Sequence, residues 1–555
     1  MLYFLKNGAN FFKKRQEDVL SAAFVIAFSV ALSKFLGLLR YRLLASYFGH
    51  EINLLDSFIA ASIVPDAIFE VFIFGTIALA FIPIFSKFLS RDKLERAWAF
   101  SSTMITLGVL VFVLFSVLII IFAGFIAPII APGVVAKDPL AQPLIARLLR
   151  IMIFAQLFFV ISIFLTGILQ SFQRFIIPAL ASVFYNIGII ISIIFLTPVF
   201  GIYAPAIGMV LGALLHLVVQ LPLALSLGFK FRPRFDFKNR DIADTISLMW
   251  PRSVALGLTR ISDIINIALA SIVAIGSIVA FNFAQVLNFV PTALFAGSIA
   301  QAALPSLSIE FNAQRKEQFK KIFIASLHQI LFLVLPAAAI LAILRIPVVR
   351  LVFGAREFPW ESTLLTGRVL IAFSIGIAAQ AASLLLTRGF YAVRDSITPV
   401  KVNVVAISLN IILSLIFILV FKFSIVYLAV TYSAANILNA FLLLFLLDRK
   451  VNFDKKILML PVVKMLVISL ITAVFLYIPM KLLDQLVFDT TRTIGLILLT
   501  GIATLVGLSV YLLLCWLFKV EQIFIFGRFA RRIISLPSKL VSPAPTSINA
   551  QEPNP

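Results

Sequence analysis

The chain reads as a succession of long apolar runs separated by short polar loops. Set against a bilayer span of about 20 residues per helix, these runs predict about 14 helices. They lie near 22–48, 57–88, 98–132, 145–170, 176–198, 203–228, 244–273, 277–305, 320–345, 363–387, 397–421, 425–447, 457–482 and 490–518. Several are longer than a bilayer requires and are expected to tilt or to extend past it. The expected fold class is an all-α polytopic membrane protein.

Within the first run, Ser33, Gly37 and Arg40 share one helix face. The same string returns as Ser253-Val254-Ala255-Leu256-Gly257-Leu258-Thr259-Arg260, about 220 residues further on. Ala80–Ser86 resembles Ala302–Ser308, and Leu165-Thr166 with Arg174 and Pro178 resembles Leu386-Thr387 with Arg394 or Asp395 and Pro399, at nearly the same offset. Six helices fit within that offset. An even number returns the chain to the same side, so the two halves are expected to be parallel repeats about an axis along the membrane normal. The expected division is an interfacial segment at 1–20, an N-lobe at 21–229, a C-lobe at 230–450, two further helices at 451–520 and a partly disordered tail at 521–555.

Composition agrees with this pattern: 62% of residues are hydrophobic, 13% are charged, and the mean hydropathy is +1.11. The net charge of +22 does not point to nucleic acid. Its bases form clusters between apolar runs, such as Lys87-Arg91-Lys93-Arg96, Lys230-Arg232-Arg234-Lys238-Arg240, Arg315-Lys316-Lys320-Lys321, Arg449-Lys450-Lys455-Lys456 and Arg528-Arg531-Arg532. Placing both termini in the cytoplasm puts about 30 basic residues inside against about 10 outside. The loop Arg345–Glu361 opposes this rule. Cys515 is the only cysteine, and His50, His216 and His328 are far apart, so neither a disulfide nor a resident metal site is expected. No nucleotide-binding loop, HExxH or nucleophile elbow is present, so no catalytic residues and no cofactor are assigned.

Ionisable residues at membrane depth are the site candidates. Arg40 lies about 27 Å along its helix from Ala22, and Arg260 about 24 Å from Asp244, so the two share a depth. Facing one cavity, they would form a fork for a phosphate or pyrophosphate. The alternative is that each is neutralised by an acid, with Asp263 three residues from Arg260. Ser33 and Ser253 precede the two arginines at matching positions, and Lys34 adds a cation. Arg42 is expected to snorkel outward. Asp66 and Glu70, one turn apart after Pro65, are expected to pair with Lys34 and Arg40 or to bind a coupling Na+ or H+. Asp263 with Asn266 is a second ion candidate. Gln285, Asn288 and Gln301 serve either the ligand or helix–helix packing. Arg388–Ala392 reads as a gate or an anchor.

Several stretches together resemble the MurJ (MviN) family of lipid II flippases, within the MOP exporter superfamily. They are Ser33-Lys34-x-x-Gly37-x-x-Arg40 with Phe48-Gly49 and Asp56, and Pro83 with Ser86. Gln173-Arg174-Phe175 with Pro178 and Asn186 follows, then Leu304-Pro305-Ser306-Leu307-Ser308, then Gly389-Phe390-Tyr391 with Asp395, Thr398 and Pro399. The resemblance implies two six-helix lobes around a cationic cavity, with the last two helices forming a groove for the lipid tail. It implies outward carriage of an undecaprenyl-pyrophosphate-linked peptidoglycan precursor by alternating access in the bacterial cytoplasmic membrane, with cell-wall synthesis enzymes as partners. Arg40 matches a substrate-binding arginine of the family, and Lys34 another cationic position. Phe69 stands where the family has an arginine, Gln285-Val286 where it has an Asp-Arg pair, Leu384 near its lysine and Asn266 near its sodium-site acid. Two rival readings follow from these departures: a flippase for another lipid-linked saccharide or a cation-coupled drug exporter, and a membrane scaffold that does not transport.

Overall fold

The computed structural model describes residues 19–71, 80–91, 93–236, 240–354, 358–489 and 492–527. Of the expected interfacial segment at 1–20 only 19–20 are described, and of the expected tail at 521–555 only 521–527; the cluster Arg528-Arg531-Arg532 lies outside the described residues. The helices, in chain order, are α1 (Val19–Phe48), α2 (Ile52–Phe69), α3 (Ile82–Leu89), α4 (Leu94–Ile130), α5 (Pro132–Lys137), α6 (Ala141–Ser171), α7 (Ile176–Phe200), α8 (Tyr203–Ser226) and α9 (Arg240–Val273). They continue as α10 (Ser277–Pro291), α11 (Ser298–Asn312), α12 (Lys316–Ile343), α13 (Arg345–Val352), α14 (Trp360–Ala392), α15 (Ile397–Leu415), α16 (Val426–Val451), α17 (Lys455–Leu486) and α18 (Thr493–Leu517). Thirteen helical stretches among the described residues are long and apolar enough to cross a membrane. With the 30-residue α1, each expected span has its helix. In lipid a helix satisfies its own backbone hydrogen bonds, which is why hydropathy locates these elements.

Three boundaries differ from expectation. The second helix starts at Ile52 rather than 57, because Asp56 is a fully buried helical residue. The helix expected at 277–305 widens into a π-turn at Thr292–Gly297 between α10 and α11 and runs on to Asn312. The loop expected at Arg345–Glu361 contains α13.

Left-handed residues recur along the backbone at an offset of 221, close to that of the sequence strings. Gln173 and Arg394 close α6 and α14 with left-handed φ angles of 58° and 61°. At each site the next amide reaches back to a helical carbonyl, Arg174 to Leu169 and Asp395 to Phe390. Gly201 and Lys422 form a second such pair, with φ of 52° and 53°. In the C-lobe copy, Asp395 accepts the Ile397 and Thr398 amides and the Thr398 hydroxyl, and pairs with Lys450. Burial acts to raise the Asp395 carboxyl, but the Lys450 and Thr398 hydrogen bonds outweigh it and hold the pKa at about 2.

α7 and α8 approach closely where their glycines face each other. A Cβ on Gly188 would lie 2.6 Å from the Gly212 Cα, and one on Gly208 2.7 Å from the Ser192 Cβ.

The two lobes touch at the end of the bundle that carries Phe48. There Asp56 of α2 accepts the amides of Gly276 (2.6 Å) and Val279 (2.9 Å), capping α10 across the lobe boundary. The Gly133 amide donates to Ser271 Oγ at 2.9 Å, and Tyr41 meets Phe283 edge-on at 5.6 Å. Arg42 does not snorkel outward: its guanidinium donates to the Leu351 carbonyl of α13. At the opposite end, which carries Val19, the start of α9 packs on an N-lobe cluster that includes Phe85, Phe100 and Phe229.

Asp56→Ala should leave two buried amides without an acceptor. The expected loss is about 1–3 kcal/mol, read as a lowered thermal midpoint of the purified protein, with Asp56→Asn intermediate. An unchanged midpoint would remove the cap from the forces that hold this end shut.

Candidate functional site

The N-lobe brings α1 and α2 to the central axis, and the C-lobe brings α9 and α10. Between them lie two adjoining cavities, of about 310 and about 950 Å³. Arg40, Tyr41, Glu70, Tyr185, Arg260, Asp263 and Gln285 line both. The smaller cavity extends toward Leu44, Phe58 and Ser62, near the Phe48 end. The larger extends toward Ala31, Leu294 and Asn439, near the Val19 end.

The two arginines therefore face one space, but their surroundings differ. Arg260 donates Nε to Glu70 Oε2 at 2.9 Å and Nη1 to Asp263 Oδ2 at 2.8 Å, while its Nη2 also meets Glu70. Glu70 caps the end of α2 and Arg260 belongs to α9, so this triad joins the lobes. Asp263, at i+3, reaches Arg260 because three residues on is one helical turn. Arg40 has no carboxylate within ion-pair distance among the described residues, but it hydrogen-bonds Tyr41 and Tyr185 and interacts electrostatically with Asp66; its guanidinium lies 4.9 Å from the Tyr41 ring centroid. Glu70 thus pairs with Arg260, not with Arg40 or Lys34. Asp66 lines the smaller cavity without an ion pair among the described residues.

Lys34 lines the larger cavity, with Nζ 5.5 Å from the Phe289 ring. Ser33 donates to the Ser182 carbonyl (3.3 Å) and accepts from Asn186 (3.2 Å), which fixes α1 on α7. Asn288 is buried, donates to Gln380 (3.2 Å), and lines the larger cavity with Gln285. Two candidates lie off the cavities. Ser253 is buried and lines neither, and Asn266 is buried in a network with Ser262, Asn410, Ser414 and Thr431. The larger cavity also carries Asn186, one of the residues of the family resemblance, and polar groups not among the sequence candidates: Tyr185, Asn403, Asn410, Tyr432, Asn436 and Asn439. Their signal was available. Asn403 and Asn410, and Tyr432, Asn436 and Asn439, are spaced for one helix face inside apolar runs.

This arrangement fits an anion with a large polar attachment. Arg40 and Lys34 supply positive charge on the N-lobe wall, and the C-lobe wall supplies amides and a phenol. A family model described as "Lipid II flippase MurJ" matches residues 44–497. The chain belongs to the MurJ family. A relative in Thermotoga maritima, described as a probable lipid II flippase MurJ, is 28% identical over 501 residues, covering 90% of this chain and 97% of the relative. Lipid II flippase MurJ of Burkholderia cenocepacia is 27% identical over 384 residues, covering 67% and 73%. A solved structure titled "Lipid II flippase MurJ, inward closed conformation" superposes with a TM-score of 0.75 at 24% identity, covering 90% of this chain and all of that one. An inward-facing MATE-family transporter of the MOP superfamily gives 0.59 at 13% identity, covering 77% and 94%, which speaks for the shared fold alone.

Removing Arg260 should strand two carboxylates in a partly dry site. Since the Glu70 side chain is 38% exposed, the cost should be roughly 2 kcal/mol, between surface and buried pairs. Arg260→Ala should therefore lower the thermal midpoint more than Arg40→Ala, and adding Glu70→Gln should recover part of the loss. Equal midpoints for the two arginine variants would contradict the triad.

Proposed function

We propose that this MurJ-family chain moves lipid II from the inner to the outer leaflet of the bacterial cytoplasmic membrane by alternating access, for peptidoglycan synthesis. The observation that carries the reading is the central cavity, whose Arg40 and Lys34 carry no ion pair among the described residues, at the meeting of two lobes joined at the Phe48 end. Arg40 presents a planar donor fork to the pyrophosphate, and Lys34 adds a point charge. Gln285, Asn288 and the C-lobe amides hydrogen-bond the uncharged sugar and peptide. The polyprenyl tail stays in lipid along α17 and α18, so only the headgroup needs a polar route. The reading assigns no catalytic residues.

Arg260 enters by competition. A pyrophosphate held at Arg40 draws on the Arg260 guanidinium, which must loosen from Glu70 and Asp263 to bind it. Loosening that triad removes a tie between the lobes. Protonation of Glu70, Asp263 or Asp66, or Na+ held by them, would bias the same contact, so these acids are the proposed coupling groups. Both termini are placed in the cytoplasm, from the distribution of basic loops.

The test is rescue of a cell depleted of its own lipid II flippase, at matched protein levels. The wild type should rescue, Arg40→Ala and Arg260→Ala should each fail or nearly fail, and Arg→Lys should rescue in part. The double variant should be little worse than either single, since one ligand is shared. Failure of the wild type would sink the reading; normal transport by Arg260→Ala would return that residue to a purely structural role.

Orientation has its own check. In a Cys515→Ser background, Asn53→Cys should react with an impermeant thiol reagent from outside the cell, and Ala313→Cys should not. The opposite labelling would invert the topology.

A further inference from the structure

Between α8 and α9 the sequence reads Phe229-Lys230-Phe231-Arg232-Pro233-Arg234-Phe235-Asp236, with aromatic or proline positions alternating strictly with charged ones. The structure gives this run a fixed course along α4. The Lys230 carbonyl accepts from Ser102 Oγ (3.4 Å), the Arg232 amide donates to Ser102 Oγ (3.3 Å), and the Arg234 amide donates to Thr106 Oγ1 (3.4 Å). Contacts at every second residue are those of a strand-like segment, whose side chains alternate between two faces. Lys230, Arg232 and Arg234 line a cavity of about 570 Å³ together with Arg96, Trp98 and Ser102. Phe231 and Phe235 are 48% and 64% exposed. Phe229 is buried and meets Trp98 edge-on at 5.7 Å, and Trp98 stacks on Phe172, so the floor of the cavity is rigid.

Four cations surround this space and Glu95 is the one acid in its lining. Among the described residues none of the four forms an ion pair. The pocket shares no lining residue with the central cavities. It sits at the Val19 end of the bundle, where α4 begins and α8 ends. At that level exposed aromatic rings favour the boundary between headgroups and acyl chains, and basic side chains favour phosphate.

We propose that this pocket binds the phosphodiester headgroup of an anionic membrane phospholipid, with Phe231 and Phe235 seated among the surrounding acyl chains. The ligand is a resident of the bilayer, distinct from the cargo of the central cavity, and the site lies on the connection between the lobes.

The test uses the full chain reconstituted in vesicles of equimolar phosphatidylglycerol and phosphatidylcholine, extracted in mild detergent, with retained lipid counted by native mass spectrometry. The wild type should retain phosphatidylglycerol in preference to phosphatidylcholine by about tenfold, allowing for screening of the contributing charges. The preference should be lost in the triple variant Lys230→Gln, Arg232→Gln, Arg234→Gln and kept when both arginines become lysine. Phe231→Ser with Phe235→Ser should reduce retention with every cation in place. The wild-type selectivity needs no variant, so it stands if a variant fails to fold. Equal retention of the two lipids by the wild type would overturn the proposal, as would an unchanged preference in a folded triple variant. Displacement of the lipid by millimolar inorganic phosphate would also overturn it, by making the pocket a site for free anions.

Discussion

A cation held at membrane depth must be answered by the protein, because hydrocarbon offers no solvent to do it. Arg260 meets that constraint with two carboxylates, one from its own helix and one from α2. The second makes the contact architectural. It fixes α9 against the N-lobe near mid-depth, and the two cavities adjoin where its three residues stand. The cap that Asp56 places on α10 works at the Phe48 end of the same boundary, where a buried acceptor has no alternative to the amides it meets. Lobe closure therefore combines a shared apolar core with a few polar contacts, each costly to leave half-made.

Much of the fold was legible because bilayer thickness writes itself into the chain as run length. An offset of 220 relates the two serine–arginine strings, and one of 221 relates the left-handed residues Gln173 and Arg394. What the sequence could not supply was the partner of a charge across a lobe boundary. Asp263 was a visible neighbour of Arg260, since three residues is one turn. Glu70 is expected from sequence to pair with Lys34 and Arg40 or to bind a coupling ion, whereas it faces Arg260 of the opposite lobe. Arg42, one residue position past Tyr41, looked outward by periodicity and instead reaches α13. Ser253 repeats Ser33 in sequence but not in setting. Such differences arise because a repeat preserves helix placement more faithfully than the side chains that meet at its axis.

The central cavity mixes two kinds of polarity. Lys34 and Arg40 stand on its N-lobe wall, while the C-lobe wall combines the paired Arg260 and Asp263 with the neutral Asn403, Asn436 and Asn439. Where the resemblance sets a charged family position at Gln285, this chain has an amide on the cavity wall, and the amide of Asn266 lies off the cavity. Amides leave less charge to desolvate and can hydrogen-bond sugars and peptide groups, so the wall keeps its hydrogen-bonding capacity while Arg40 and Lys34 carry the anion recognition.

The contact of Gly188 with Gly212 has a mechanical consequence. Where the backbones touch there is little side-chain layer to shear, and Ser192 Oγ donates to the Ala204 carbonyl beside it, so α7 and α8 turn together as one stiff lever. Ser33 couples α1, with its arginine, to that lever through Asn186. Any tilt of the N-lobe must then be absorbed outside the pair, and α9, rooted at one end in the N-lobe cluster and lined up with the C-lobe at the other, is the member placed to flex.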